Sequence, residues 1–345
     1  MALSCNLARD VERLEPNLRR VILAVADAVA QCATILREDE GNEAGTTEST
    51  ENASGDTQCS ADLRTDEAFF AALRNTGCVA CACSEEKPEP VSLVSGPGDG
   101  PPAGSPTYCV AWDPLDGSSV VDASFAVGSI VAVFPGNTLL GRTANELAAA
   151  AYAVYGPRTV LVVATRHGQG RSETVAAVVQ EYVLTNSGRW RLSRANVRLS
   201  PASMFYAPAN VRCCADNEAY RALLVSWMMV SPPTAAPCDG AAQPKSMTMR
   251  YSGALVADVH HVLTKGGGVF VCPSSAAAPS KLRLVFEAAA IAFIVHAAGG
   301  TSLDSSGQTL LEVRIDSYQQ RTALCVGSSL LVAQCKDAMK WARKS

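Results

Sequence analysis

The sequence predicts an α/β fold, and three observations carry that reading. Helical and strand periodicities alternate along the 345 residues. Apolar residues make up 48% of them, enough to bury a large core shared between two lobes. No apolar run approaches a membrane span, and the longest, such as Ala288 to Ala298, suit core elements.

Residues Asn17 to Arg37 set Leu18, Val21, Ile22, Val25, Val29, Ala33 and Leu36 at helical spacing, which predicts an opening amphipathic helix with Pro16 at its start. Asp39 to Ser60 is rich in Glu, Thr, Gly, Asn and Ser without periodicity and reads as a mobile loop. A second amphipathic helix is placed from about Asp66. Small apolar residues from Cys78 to Cys83 read as a strand, closed by Ser84-Glu85-Glu86. A polar insertion, Lys87 to Pro106, separates it from an apolar strand, Tyr108 to Trp112. Further strands are placed near Ser129–Pro135, Thr159–Thr165, Thr174–Leu184 and Trp190–Leu192, with a helix over Ala144–Ala150. Met204 to Asn210 opens the second lobe. There, helices near Ala219–Met229 and Ala254–Thr264 alternate with strands near Gly268–Cys272 and Leu282–Glu287.

Charge and cysteine usage narrow the function. A formal charge of -4, with no basic cluster interleaved with aromatics, gives no reason to expect a nucleic-acid partner. No secretory signal or transit peptide is read at the N-terminus, so the cytoplasm is the default compartment, with glycosome or plastid as alternatives. The 13 cysteines sit mostly inside apolar runs and read as reduced core residues. Cys78-Val79-Ala80-Cys81-Ala82-Cys83 has the look of a CxxC motif, yet no second pair or histidine cluster follows at zinc-finger spacing. Four histidines are too few for a histidine-based metal site.

The chemistry is concentrated in Trp112-Asp113-Pro114-Leu115-Asp116-Gly117-Ser118-Ser119. Two carboxylates three apart across a proline escape regular strand or helix geometry and can share one cavity. Such hard oxygen ligands suit Mg²⁺ or Mn²⁺ rather than zinc. Gly117 admits close backbone approach, and Ser118 and Ser119 offer amides and hydroxyls to an anion. Asp-Pro and Asp-Gly are also ordinary turn signals, so the motif alone leaves a surface turn open. Adjacent Glu85 and Glu86 repel each other unless a cation lies between them. Gly55-Asp56 precedes Asp62 by one short step, and Lys281 to Glu287 alternates charged and apolar residues up to one more acid.

In this order the segments resemble the fructose-1,6-bisphosphatase and sedoheptulose-1,7-bisphosphatase family. Tyr155 to Thr159, Ala207 to Arg212, Arg250-Tyr251-Ser252-Gly253, Val256 to His260 and Ala298-Gly299-Gly300 extend the likeness from about Asn52 to the end. The Val120 to Gly128 run followed by Tyr155 to Thr159 looks more like the sedoheptulose enzymes. The resemblance implies a layered α-β-α-β-α sandwich of the sugar phosphatase type. Its N-terminal lobe, 1–200, would carry the metal-binding loops, and its C-terminal lobe, 201–345, would bind the sugar phosphate.

The resemblance also implies roles. Asp56, Glu85, Asp113, the Leu115 carbonyl, Asp116 and Glu287 would ligate two or three Mg²⁺ ions, with Mn²⁺ as a substitute, and Asp62 and Glu86 would orient and deprotonate the attacking water. Gly117, Ser118 and Ser119 would meet the reacting phosphate. Asn210, Tyr251 and Lys281 would hold the remote phosphate and the sugar, while Arg250 would reach into the site of a neighbouring subunit, implying a homodimer or homotetramer. The reaction implied is hydrolysis of the 1-phosphate of sedoheptulose 1,7-bisphosphate, with fructose 1,6-bisphosphate as the closest alternative and an inositol monophosphatase-like activity further off. Two departures touch the remote-phosphate pocket. Cys272 precedes Pro273 where the fructose enzymes have a tyrosine, and Lys265 to Gly268 carries an extra residue.

Overall fold

The computed structural model describes residues 7–38, 50–51, 57–58, 60–93, 105–166, 177–229 and 246–340. Strands β1 (Thr50–Glu51) and β2 (Thr57–Gln58) form an antiparallel pair within the segment read as a loop, most of which lies outside the described residues. A seven-stranded sheet runs in chain order through β3 (Val79–Ser84), β4 (Tyr108–Asp116), β5 (Val127–Pro135), β6 (Ala149–Tyr155), β7 (Thr159–Thr165), β8 (Val178–Leu184) and β9 (Trp190–Arg194). A five-stranded sheet uses β10 (Phe205–Pro208), β11 (Thr248–Met249), β12 (Val269–Cys272), β13 (Thr301–Leu303) and β14 (Leu324–Gly327), in the order β11-β10-β12-β14-β13. The helices are α1 (Leu7–Asp10), α2 (Pro16–Glu38), α3 (Ser60–Arg74), α4 (Glu218–Met228), α5 (Leu255–Thr264), α6 (Ala289–Ala297), α7 (Ser329–Gln334) and α8 (Lys336–Met339).

These elements stack as the α-β-α-β-α sandwich that the resemblance implies. Val21, Ile22 and Val25 of α2, with Phe69 and Leu73 of α3, bury one face of the seven-stranded sheet through Val110, Trp112, Val131 and Leu161. Helices α5 and α6 fill the space between the sheets, and on the far side α4, α7 and α8 bring Trp227, Leu331 and Met339 against Tyr206, Val271 and Cys325. A strand buried on both faces reads as a continuous apolar run: in β4, Cys109 and Ala111 face the middle layer while Val110 and Trp112 face the outer helices. Every described cysteine is a free thiol, and all but Cys214 are buried. Cys78, just ahead of β3, joins the outer layer, and Cys81 and Cys83, two apart on the strand, share the middle one. Among the described residues no helix is long and apolar enough to cross a membrane.

Four sequence expectations are corrected. Helix α3 begins at Ser60, not near Asp66, because its inward face is partly polar and masks the periodicity. Thr65 bonds back to the Ala61 carbonyl (2.7 Å), and Asp66 accepts the Trp112 indole N–H (3.0 Å) and pairs with Lys87 (3.1 Å). Strand β8 starts at Val178, later than the expected Thr174, and 174–176 lie outside the described residues. Ala144–Ala150 is not a helix: one 3-10 turn, Ala144–Glu146, closes with the Thr143 amide on Glu146 Oε1 (3.0 Å), and the alanines enter β6. Alanine favours helix, but a position between two paired strands overrides propensity; Ala150 faces the middle layer, while Ala149, Ala151 and Ala153 face the outer helices.

The fourth correction concerns Leu282–Glu287, where the strand-like alternation misleads. Arg283 makes a single bridge to Arg321, and then Leu284–Ala288 forms a π-helical turn leading into α6. All five residues of that turn are buried, which an alternating half-exposed strand cannot provide. The wider turn puts both the Glu287 and Ala288 amides on the Arg283 carbonyl (3.2 and 3.1 Å). Turns of this kind concentrate at functional sites because they re-aim a side chain.

The start of α5 rests directly on bare backbone. A Cβ at Gly128 would lie 2.0 Å from the Ala153 carbonyl oxygen and 2.4 Å from Val256 Cγ2. Gly128→Ala is therefore expected to destabilise the fold by about 1–3 kcal/mol or more, read as a lower urea midpoint. Gly156→Ala, where the new Cβ would meet Ala126 at an ordinary 3.4 Å, should be near neutral. Equal midpoints for the two variants would contradict this packing.

Candidate active site

Because β3 and β4 are parallel, their C-terminal ends lie at one edge of the sheet. Glu85 and Glu86 follow the first, and Asp113 and Asp116 finish the second. The β4–β5 ladder pairs Asp113 with Ile130, then slips so that Asp116 pairs with Gly128. Pro114, which has no N–H for the ladder, sits in that slip. The strand continues through the proline to Asp116 but loses its regular register there, as the sequence predicts. The π-turn supplies Glu287 from the other side. One oxygen each of Asp113, Asp116 and Glu287 lies within 4.8 Å of the others, and all three residues are buried.

Each carboxylate is held by backbone. Asp113 Oδ1 accepts the Leu115 amide (2.9 Å) and Glu287 Oε2 the Arg283 amide (2.6 Å). Asp116 accepts the amides of Leu255 (3.2 Å) and Val256 (2.7 Å), the first turn of α5. No side chain within α5 caps that end, so Asp116 satisfies its orphan N–H groups and meets its positive dipole end. Glu85 forms an ion pair with the buried guanidinium of Arg283.

The cluster is electrostatically strained. Burial, followed by the charges of Glu85, Glu287 and Asp116, pushes Asp113 well above the usual carboxylate range. Burial and Glu85 do the same to Glu287. Asp116 is pushed up to about 7 by burial, which outweighs its two amide bonds. Three buried oxygen donors without histidine or cysteine, repelling one another, fit a hard divalent cation.

The other expected site residues are placed as follows. Asp62 is buried in the first turn of α3, Glu86 is half-buried in the bend after β3, and the buried Leu115 lies between the two aspartates. Asp56 lies outside the described residues. Gly117 has φ +83°, and a Cβ there would meet the Ala254 Cβ at 2.5 Å. It leads into a 3-10 turn, Ser118–Val120. Ser119, Asn210, Tyr251 and Lys281 line, with Asp116, a cavity of about 550 Å³. Arg250 is exposed, donates to the Met249 carbonyl (2.9 Å), and does not line it.

Asn210 departs from the role expected of it. In left-handed backbone (φ +48°), it directs Nδ2 to the carbonyls of Pro273 and Ala278, each at 2.9 Å. Its donors are engaged by the protein itself. Sequence reasoning also missed residues that matter here. Arg283 sat in an alternation read as solvent-facing. Asp258 and Arg212 fall within segments that carry the resemblance, and both line the cavity. Asp258 accepts the Ser252 amide (2.8 Å) through Oδ1, while its buried Oδ2 has no hydrogen bond. Burial raises its carboxyl to about 6.

Known proteins resemble this chain in sequence and in fold. A family model described as fructose-1-6-bisphosphatase, N-terminal domain, matches residues 5–193, and its C-terminal counterpart matches 199–340. The chloroplastic sedoheptulose-1,7-bisphosphatase of Chlamydomonas reinhardtii is 34% identical over 315 residues, covering 91% of this chain and 71% of that protein. The class 1 fructose-1,6-bisphosphatase of Geobacter sulfurreducens is 32% identical over 330 residues, 94% of this chain and 92% of the other. A Toxoplasma gondii crystal structure, described as a candidate sedoheptulose-1,7 bisphosphatase, matches with a TM-score of 0.80 at 30% identity. It covers 98% of this chain and 99% of its own.

The strained cluster has a pH signature. Unfolded carboxyls titrate near 4, whereas Asp116 titrates at about 7 in the fold, with Asp113 and Glu287 raised as well. Over that window the folded state binds more protons than the unfolded one, so the contribution of these groups to stability is present at low pH and lost as pH rises. A cation relieves the repulsion of the ionised cluster. Added Mg²⁺ should therefore raise the melting temperature more at pH 8 than at pH 6, each against EDTA at the same pH. An equal shift would count against the cluster as the binding site.

Proposed function

Since the chain belongs to the fructose-1,6-bisphosphatase family, whose members are phosphatases of sugar bisphosphates, we propose that it is a Mg²⁺-dependent sedoheptulose-1,7-bisphosphatase. It is a phosphoric monoester hydrolase. The observation that carries the finer reading is the set of three mutually repelling buried carboxylates, one of which, Asp116, lines a cavity together with Lys281 and Tyr251. In this reading the 1-phosphate leaves as inorganic phosphate, and sedoheptulose 7-phosphate remains.

Phosphoester hydrolysis demands charge neutralisation, an in-line water and stabilisation of the departing alkoxide. Divalent ions bound by Asp113, Asp116, Glu287 and Glu85, with Asp56 and the Leu115 carbonyl assisting, would supply the electrostatic part of all three. Glu86 and Asp62 orient the attacking water and accept its proton. The turn at Gly117, Ser118 and Ser119 offers amides and hydroxyls to the reacting phosphate, and a left-handed glycine with no room for a Cβ suits such close backbone approach. Tyr251 and Lys281 face the remote phosphate, and Asn210, with its donors on Pro273 and Ala278, shapes that wall. The working form is a homodimer or homotetramer in which Arg250 reaches a neighbouring site. The proposed compartment is the cytoplasm, with glycosome or plastid as alternatives, and the N- and C-terminal lobes meet near residue 200.

Phosphate release with Mg²⁺ from sedoheptulose 1,7-bisphosphate, fructose 1,6-bisphosphate and inositol 1-phosphate, side by side, tests the assignment. The seven-carbon substrate is expected to give the highest kcat/KM. A clearly higher value for fructose 1,6-bisphosphate would change the substrate and leave the mechanism, and turnover of inositol 1-phosphate alone would overturn both. Asp113→Asn should abolish turnover in a folded protein. Glu86→Gln should lower kcat by about 10²–10⁴-fold, the usual worth of general-base assistance, with a smaller effect on KM. A pure KM effect would move Glu86 to substrate binding.

A further inference from the structure

A sugar bisphosphate carries a second phosphate that the acid cluster does not serve, so donors elsewhere in the cavity must neutralise it. The cavity is poor in such donors at the places where they were expected. Asn210 spends Nδ2 on two carbonyls. Cys272 offers a thiol that burial pushes up to about 12, held against Ser280 Oγ at 3.8 Å. Two cationic side chains line the cavity, Lys281 and Arg212.

Arg212 sits on the 3-10 turn Val211–Ala215 that follows β10, two residues beyond the left-handed Asn210. Its side chain is exposed and has no hydrogen bond or ion pair among the described residues, while its charge acts on the Tyr251 hydroxyl. The turn thus directs a guanidinium toward the same wall as Tyr251. It borders a cavity in which the Asn210 amide, expected to meet the phosphate, is committed to two carbonyls. A guanidinium fork matches the geometry of a phosphate and holds it through paired charge-assisted bonds.

We propose that Arg212 binds the distal phosphate of the substrate, together with Lys281 and Tyr251. This rests on the reading of the cavity as a sugar bisphosphate site, and names a donor which that reading lacked.

Two measurements on full-length protein separate the claims. The first is calorimetric titration with sedoheptulose 7-phosphate and with fructose 6-phosphate in EDTA, using wild type, Arg212→Met and Arg212→Lys. The second is steady-state hydrolysis of the bisphosphates and of fructose 1-phosphate, which has no distal phosphate. Arg212→Met should weaken binding of at least one sugar monophosphate by roughly tenfold or more and raise KM for the matching bisphosphate in parallel, with kcat within about twofold. Arg212→Lys should restore part of the loss, and fructose 1-phosphate should be indifferent to either change. A structural role would not produce that split. Affinity and KM unchanged within about twofold would overturn the role of Arg212 while leaving the hydrolase reading intact. Arginine-dependent sugar phosphate binding in a wild type that hydrolyses none of the bisphosphates would leave the anion site standing and remove the proposed reaction. Wild type that neither binds nor hydrolyses sugar phosphates would overturn both.

Discussion

The carboxylate of Asp116 is the joint on which this molecule turns. It ends a strand of the large sheet, it belongs to the acid cluster, and it accepts the first two amides of α5, a helix that packs on both sheets. Three requirements therefore meet in one side chain. The helix needs an acceptor, the cluster needs an anion, and the position of the second sheet follows the helix. Burial makes each of them expensive to leave unmet. An isosteric amide could still cap one N–H group but would remove a charge from the site. A shorter side chain would leave both amides without the acceptor that now holds them.

Much of this was legible in the sequence, for definite physical reasons. Apolar runs such as Tyr108 to Trp112 announce strands buried on both faces, and Pro16 with the heptad-like spacing after it announces α2. The acids at 85, 113, 116 and 287 stand out because charges closing apolar segments are rarely there for packing alone. What escaped was set by tertiary context. The alanines of β6 favour helix locally and became strand because the neighbouring strands needed a partner. The alternation in Lys281 to Glu287 is genuine, yet Leu284 to Ala288 all go inside, and only the packed interior selects a π-turn over a strand. Side-chain direction was equally invisible. Nothing in the order of residues shows that Asn210 spends its amide on two carbonyls or that Arg283 turns back to Glu85.

The pairing of Arg283 with Glu85 also shows how such a site can exist before any ion arrives. Four carboxylates in one dry pocket would oppose folding strongly. One internal cation, and the upward pKa shifts of the remaining acids, lower the charge that the fold has to enclose. Assembly of the pocket and neutralisation of the pocket are thus separable events. The protein contributes the geometry, and a divalent ion would find carboxylates already aligned by backbone bonds.

The bare backbone of β5 at Gly128 has a consequence for how this chain can diverge. Acidic ligands advertise their importance, and their loss is easily understood. Gly128 touches no substrate, yet its missing side chain sets the distance at which α5 approaches the sheet and hence the reach of two amides toward Asp116. A single methyl group at this position would drive the start of α5 away from the sheet, and with it the two amides that hold Asp116.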